Sequence, residues 1–148
     1  GEVNLEVESK SQYQFSNMAA TKEGLSLSAL NILLVDDSLD NQLLITRILK
    51  KAGATVTTAS NGREGYEQAL NGSYDVVLMD LQMPEMDGYE ATKLLRNNSY
   101  RKPIIALTAH AMKEERERSL KSGFDNHITK PIDQKLLINT LSSYVKEI

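Results

Sequence analysis

Asp75 to Ala91 reads DVVLMDLQMPEMDGYEA. One acid opens it, four consecutive apolar residues follow (Val76–Met79), and the run stops at Asp80. An apolar run of that length without alternation is the pattern of a strand covered on both faces. Pro84, Asp87 and Gly88 then mark a turn, and a helix is predicted from Tyr89 to about Arg96. Two more runs of the same kind, ILLV at Ile32–Val35 and IIAL at Ile104–Leu107, lie on either side.

The segments between these runs have helical spacing. Asn31–Val35 reads as the first strand, and Ser38 as the N-cap of a helix to Ala52. Leu44, Ile45, Ile48, Leu49 and Ala52 recur along that helix, and Gly53 stops it. Ala54–Ala59 is a second strand, and Arg63–Leu70 a second helix ended by Gly72. The third strand is Asp75–Met79. After the third helix, Asn97, Asn98 and Ser99 lead into the strand Ile104–Leu107. A charged helix at Lys113–Ser122, Gly123, a short strand at Asn126–Thr129 and a last helix from Asp133 complete the pattern. Leu137, Leu141, Tyr144, Val145 and Ile148 form the apolar stripe of that last helix. Alternating strands and helices with short connections predict a doubly wound α/β sandwich on a five-stranded parallel sheet. Ligands of such sheets bind beyond the carboxyl ends of the strands.

Composition narrows the function. The 148 residues suit one domain plus a short extra segment, and 41% hydrophobic residues exclude disorder throughout. A formal charge of −3, with no basic patch, argues against nucleic acid or an anionic membrane as partner. The absence of cysteine removes disulfides, thiolate metal sites and a cysteine nucleophile, and it fits a cytoplasmic setting. The apolar runs fall far short of the ~18 residues of a spanning helix. Residues 1–29 stand outside the pattern. Val3, Leu5 and Val7, then Tyr13 and Phe15, alternate with polar residues, which reads either as a small hairpin or as a partly disordered linker, with a Ser-rich stretch from Ser16 to Ser28. The folded domain is expected over residues 30–148.

The strand ends carry the chemistry. Strand one runs into Asp36 and Asp37, strand three into Asp80, strand four into Thr108, and strand five into Lys130 and Pro131. Each alone is an ordinary turn or surface residue. Together they bring three carboxylates to one rim, where mutual repulsion calls for a positive neighbour. Hard oxygen donors with room for water and phosphate suit Mg²⁺. A carboxylate can then act as nucleophile and form an acyl phosphate, with the lysine and the threonine hydroxyl on the phosphoryl oxygens. The rim reads as a site for phosphoryl transfer onto an aspartate.

These residues also carry a resemblance. LLVDD, DVVLMDLQMPEMDGYEA, IIALTA and ITKPI, in that order over about Leu30–Ile148, resemble the receiver (response regulator) domain of two-component signalling. The resemblance implies a flavodoxin-like sheet of order 2-1-3-4-5 and Asp80 as phosphoacceptor. It implies that Asp37 ligates Mg²⁺ directly, Asp36 largely through water, and the backbone carbonyl of Gln82 as well. Thr108 and Lys130 would hold the phosphoryl group, the Lys130–Pro131 bond would be cis, and Ala109 would leave access to Asp80. The switch position, three before the lysine, holds His127 in place of the common Tyr or Phe, which puts the usual aromatic coupling in doubt; a packing role competes with a switching one. Gln82 and His110 occupy the positions that tune hydrolysis of the acyl phosphate, with His110 expected at the solvated rim and not on a metal. The Glu114/Arg118 and Glu117/Lys121 pairs of the charged helix are expected to decorate its surface.

The partners implied are a histidine kinase or a histidine phosphotransfer protein, with the domain itself a monomer or weak dimer. The wording around Asp80 and Thr108 most resembles receivers fused to hybrid sensor histidine kinases. GEVNLEVES and YQFS faintly resemble the closing hairpin of a kinase ATP-binding domain. On that wording, and with Gly in place of Met at position 1, a fragment of such a kinase is expected, and a free-standing response regulator is the alternative. A haloacid-dehalogenase-like phosphohydrolase is disfavoured, because Gln82 stands where that family needs a second Asp. A phosphorylation-independent interaction module is disfavoured by the presence of Asp37, Asp80, Thr108 and Lys130 together.

Overall fold

A computed structural model describes residues 26–109 and 112–145. The elements run β1 (Asn31–Val35), α1 (Leu39–Lys51), β2 (Thr55–Ala59), α2 (Gly62–Asn71), β3 (Val76–Asp80), α3 (Gly88–Asn97), β4 (Ile104–Thr108), α4 (Lys113–Ser122), β5 (Asn126–Thr129) and α5 (Gln134–Ser142). All strand pairs are parallel and the sheet order is β2-β1-β3-β4-β5. The hairpin or linker expected within residues 1–25, His110 and Ile148 lie outside the described residues.

The apolar runs are buried on both sides of the sheet, with alternate residues facing opposite ways. Ile32, Leu34, Val76, Leu78, Ile105 and Leu107 pack with Ile45, Ile48 and Leu49 of α1 and Leu137 and Leu141 of α5. Leu33, Val35, Val77, Met79, Ile104 and Ala106 pack with Ala69 of α2, Tyr89, Ala91 and Leu95 of α3, and Phe124. Each such aliphatic side chain contributes roughly 1.5–3 kcal/mol of burial. β2, at the sheet edge, is the exception: its TVTTA is only partly covered.

The ends of the helices follow local chemistry. The Ser38 hydroxyl accepts from the Asn41 amide, the Asn61 side-chain Oδ1 from the Glu64 amide and the Asp133 carboxylate from the amides of Lys135 and Leu136. Gly123 ends α4 at φ +108°, a left-handed conformation that favours glycine. α5 stops at Ser142, short of the stripe predicted for it, yet Tyr144 and Val145 still pack on the core from the turn beyond. Leu27 falls on the linker side of the expected boundary at residue 30. It is nonetheless wholly buried with α1 and β1, and its amide donates to the Ala52 carbonyl at 2.7 Å.

At the amino edge of the sheet Arg96 spends its guanidinium in four directions. It donates to the carbonyls of Gly123 (2.9 Å), Tyr100 (2.7 Å) and Lys102 (2.9 Å), and to the Asp125 carboxylate at 2.8 Å. Asp125 in turn accepts the Ile104 amide at 2.9 Å, so one side chain ties α3 to the starts of β4 and β5.

Candidate functional site

The opposite edge gathers the strand ends. Asp80 is the last residue of β3 and Thr108 of β4, each 5% exposed, while Asp36 and Asp37 follow β1 and Lys130 follows β5. The registers keep these ends level: Val35 lies beside Met79, Asp80 beside Leu107 and Thr108 beside Thr129. Gly88 is required beneath them, because a Cβ there would come within 2.3 Å of the Asp80 carbonyl oxygen.

One carboxylate oxygen from each of Asp36, Asp37 and Asp80 lies within 4.8 Å of the other two. Lys130 Nζ stands 3.2 Å from Asp80 Oδ2 and 3.6 Å from Asp36 Oδ2. The Ser38 amide donates to Asp36 Oδ1 at 2.9 Å and the Gln82 amide to Asp80 Oδ1 at 3.2 Å. Asp36 Oδ2 is buried and has no hydrogen bond. Burial first, and the Asp36 carboxylate second, raise the Asp80 pKa above its ordinary 3.8; Lys130 and the Gln82 amide only partly offset them. Three carboxylates against one ammonium, with a buried acceptor left over, make a donor set that fits a hard divalent cation such as Mg²⁺.

Above the cluster is a cleft of about 240 Å³, lined in part by Asp37, Asp80, Gln82, Thr108, Ala109 and Lys130. It is smaller than the ~300–1,000 Å³ pockets that enclose drug-sized ligands, and suits a phosphoryl group with a few waters. The Lys130–Pro131 peptide bond is cis, as the resemblance implied. His127 is not among the cleft residues. It pairs in register with Ala106 and so faces the α3 side of the sheet, where burial and then the charge of Arg116 hold its pKa below 6.5. His110 lies outside the described residues.

Two contributors were not read from the sequence. Gln42 of α1 is buried and donates to the Asp36 carbonyl at 2.6 Å and to the Ser60 hydroxyl at 3.2 Å, which fixes the β1–α1 turn. A polar residue three positions before Ile45, on the buried face of the helix, was the available signal. Glu115 of α4 also lines the cleft, and its carboxylate accepts the Tyr89 hydroxyl. Arg118, expected to pair with Glu114 on a solvated face, lies over the Tyr89 ring at 3.9 Å.

Residues 32–142 match the family model of the response regulator receiver domain. The chain belongs to this family. Its sheet order and acidic rim are those the resemblance implied, and it is a receiver domain of two-component signalling. It is 43% identical over 129 residues to a hybrid signal transduction histidine kinase of Dictyostelium discoideum, covering 78% of this chain and 7% of that protein. Among solved structures it resembles the receiver domain of the sensor histidine kinase PA1611 from Pseudomonas aeruginosa, which has magnesium coordinated in its active-site cleft. That match has a TM-score of 0.73 and 37% identity, and covers 78% of this chain and 97% of that one. It also resembles the receiver domain of Ssk1 of Saccharomyces cerevisiae, solved in complex with the histidine phosphotransfer protein Ypd1. Here the TM-score is 0.73 with 29% identity, covering 78% of this chain and 88% of that chain. The receiver domain spans only 7% to 14% of the first curated relatives it matches.

Proposed function

We propose that this receiver domain takes a phosphoryl group from a phosphohistidine onto Asp80, within a parent protein of the hybrid histidine kinase type. The observation that carries the reading is the Asp36–Asp80–Lys130 cluster at the carboxyl edge, with a buried Asp36 oxygen that takes no hydrogen bond. Asp36, Asp37, Asp80 and the Gln82 carbonyl would hold Mg²⁺, whose charge neutralises the carboxylates and the oxygens in transfer. A carboxylate oxygen of Asp80 attacks phosphorus, the P–N bond to the donor imidazole breaks, and the electron pair and a proton end on the imidazole. Lys130 shifts its charge from the Asp80 carboxylate to the phosphoryl oxygens, and the Thr108 hydroxyl donates to another. Water later cleaves the acyl phosphate and restores the aspartate.

A protein donor is favoured by what surrounds the cleft. Ser38 and Asn41 of the α1 amino end line it, while Leu39 and Leu43 on the same helix are 68% and 66% exposed. Large apolar side chains beside a polar reaction cleft suit a docked protein better than a free small phosphate.

Mass spectrometry tests the reading. Purified chain with Mg²⁺ and acetyl phosphate, or with a phosphorylated histidine phosphotransfer protein, should gain one phosphoryl group. EDTA and Asp80→Asn should each abolish the gain. Persistent labelling of Asp80→Asn, or no gain together with no beryllofluoride binding, would overturn it.

A further inference from the structure

Glu115 is the acidic side chain of the cleft that phosphoryl transfer leaves unused. It sits in the first turn of α4 and accepts the hydroxyl of Tyr89, the second residue of α3. Tyr89 is buried, edge-on to Phe124 at 6.3 Å, with Arg118 over its ring. This stack joins α3, α4 and the turn into β5.

α4 has little else to hold it. Among its residues only Ser119 and Ser122 are buried, and Leu120 points to solvent at 62% exposure. Its N-cap, Met112, offers no side-chain hydrogen bond. An element docked by small residues and one polar stack responds to charge more readily than one docked by a leucine stripe. Phosphorylation of Asp80 supplies that charge, replacing a carboxylate of −1 by a phosphoryl group near −2. Glu115 lines the same small cleft as Asp80, and like charges that face one cleft repel.

We propose that the Tyr89–Glu115 contact is a latch between α3 and α4 that phosphorylation of Asp80 opens. The proposal rests on the phosphoacceptor reading of Asp80. Binding linkage is reciprocal: if phosphoryl charge weakens the latch, removing the latch strengthens binding of a phosphoryl mimic. The hydroxyl stays a donor across physiological pH, because burial and then Glu115 push the Tyr89 pKa up to about 12.

Calorimetric titration with beryllofluoride and Mg²⁺ tests this on four chains: wild type, Tyr89→Phe, Glu115→Ala and the double variant. Tyr89→Phe keeps the ring against Phe124 and Arg118, so a folded protein is expected, and circular dichroism checks it. The expected result is about fivefold tighter binding in each single variant, in the lower range of typical coupling. The double variant should bind no tighter than the tighter single one, since both remove the same contact. Hydrogen exchange should find the α4 amides of Tyr89→Phe opening without beryllofluoride, whereas those of wild type open only with it. Tightening in Glu115→Ala alone would mean a simple rim charge and would overturn the latch. Additive tightening in the double variant, or unchanged affinity in Tyr89→Phe, would overturn it as well. A wild type that binds no beryllofluoride would refute the phosphoacceptor reading itself, and the latch with it.

Discussion

The two edges of the sheet are built from the same kinds of residue and finish differently. At the amino edge the Arg96 guanidinium meets three carbonyls and Asp125, and Asp125 also takes the Ile104 amide. At the carboxyl edge three carboxylates cluster, the Lys130 ammonium reaches two of them, Asp36 and Asp80, and Asp36 Oδ2 is buried without a hydrogen bond. Balanced polar groups hold the fold together. Unbalanced ones, kept in place by that fold, are what a cation and a phosphoryl group can complete.

That contrast can be broken from either side. The largest effect is expected from Asp80→Asn, which should lose phosphoryl labelling entirely, while its metal-free melting temperature rises as repulsion from Asp36 is relieved. At the amino edge Leu27→Ala should cost about 3 kcal/mol in urea unfolding, as a buried leucine truncation does, and leave the labelling of folded protein intact. A cost under about 0.5 kcal/mol would return Leu27 to the linker. Arg96→Ala should cost about 2 kcal/mol, because it strands a carboxylate and several carbonyls, again with labelling kept. Mg²⁺ at ten times its dissociation constant should stabilise wild type by about 1.4 kcal/mol. EDTA should reverse that gain, and Asp36→Ala should remove it.

The smallest effect sharpens the comparison at His127. Its folded pKa lies below 6.5, so the unfolded chain binds a proton first as pH falls. The stability due to neutral His127 is therefore present above pH 6.5 and lost as pH drops through the folded value. NMR titration of the ring should give a midpoint below 6.5, and His127→Gln should flatten this part of the stability–pH curve. A midpoint at or above 6.5 would contradict the burial seen on the α3 side.

Much was legible in the linear chain because burial leaves a local pattern. The unbroken runs at Ile32–Val35, Val76–Met79 and Ile104–Leu107 announced strands covered on both faces, and Ser38 and Asp133 announced their helices. The acid, hydroxyl and amine that end those strands needed no coordinates to be suspected, since parallel strands deliver their ends to one side. Other features depended on side chains distant in sequence. Lys130 meets Asp36 and Asp80 only because β5 lies beside β4 and β4 beside β3. Gln42 reads as one more helix polar residue until the Asp36 carbonyl is placed beneath it. Arg118 and Glu115 read as surface charges until α4 packs against Tyr89. Leu27 looked like linker because it lies in a Ser-rich stretch ahead of the first strand, and only its packing with α1 and β1 makes it core. Hydrophobic periodicity is written along the chain and determines which segments become strands and helices. Which charge faces which is set by the register and packing of those segments, where partners dozens of residues apart leave no local trace.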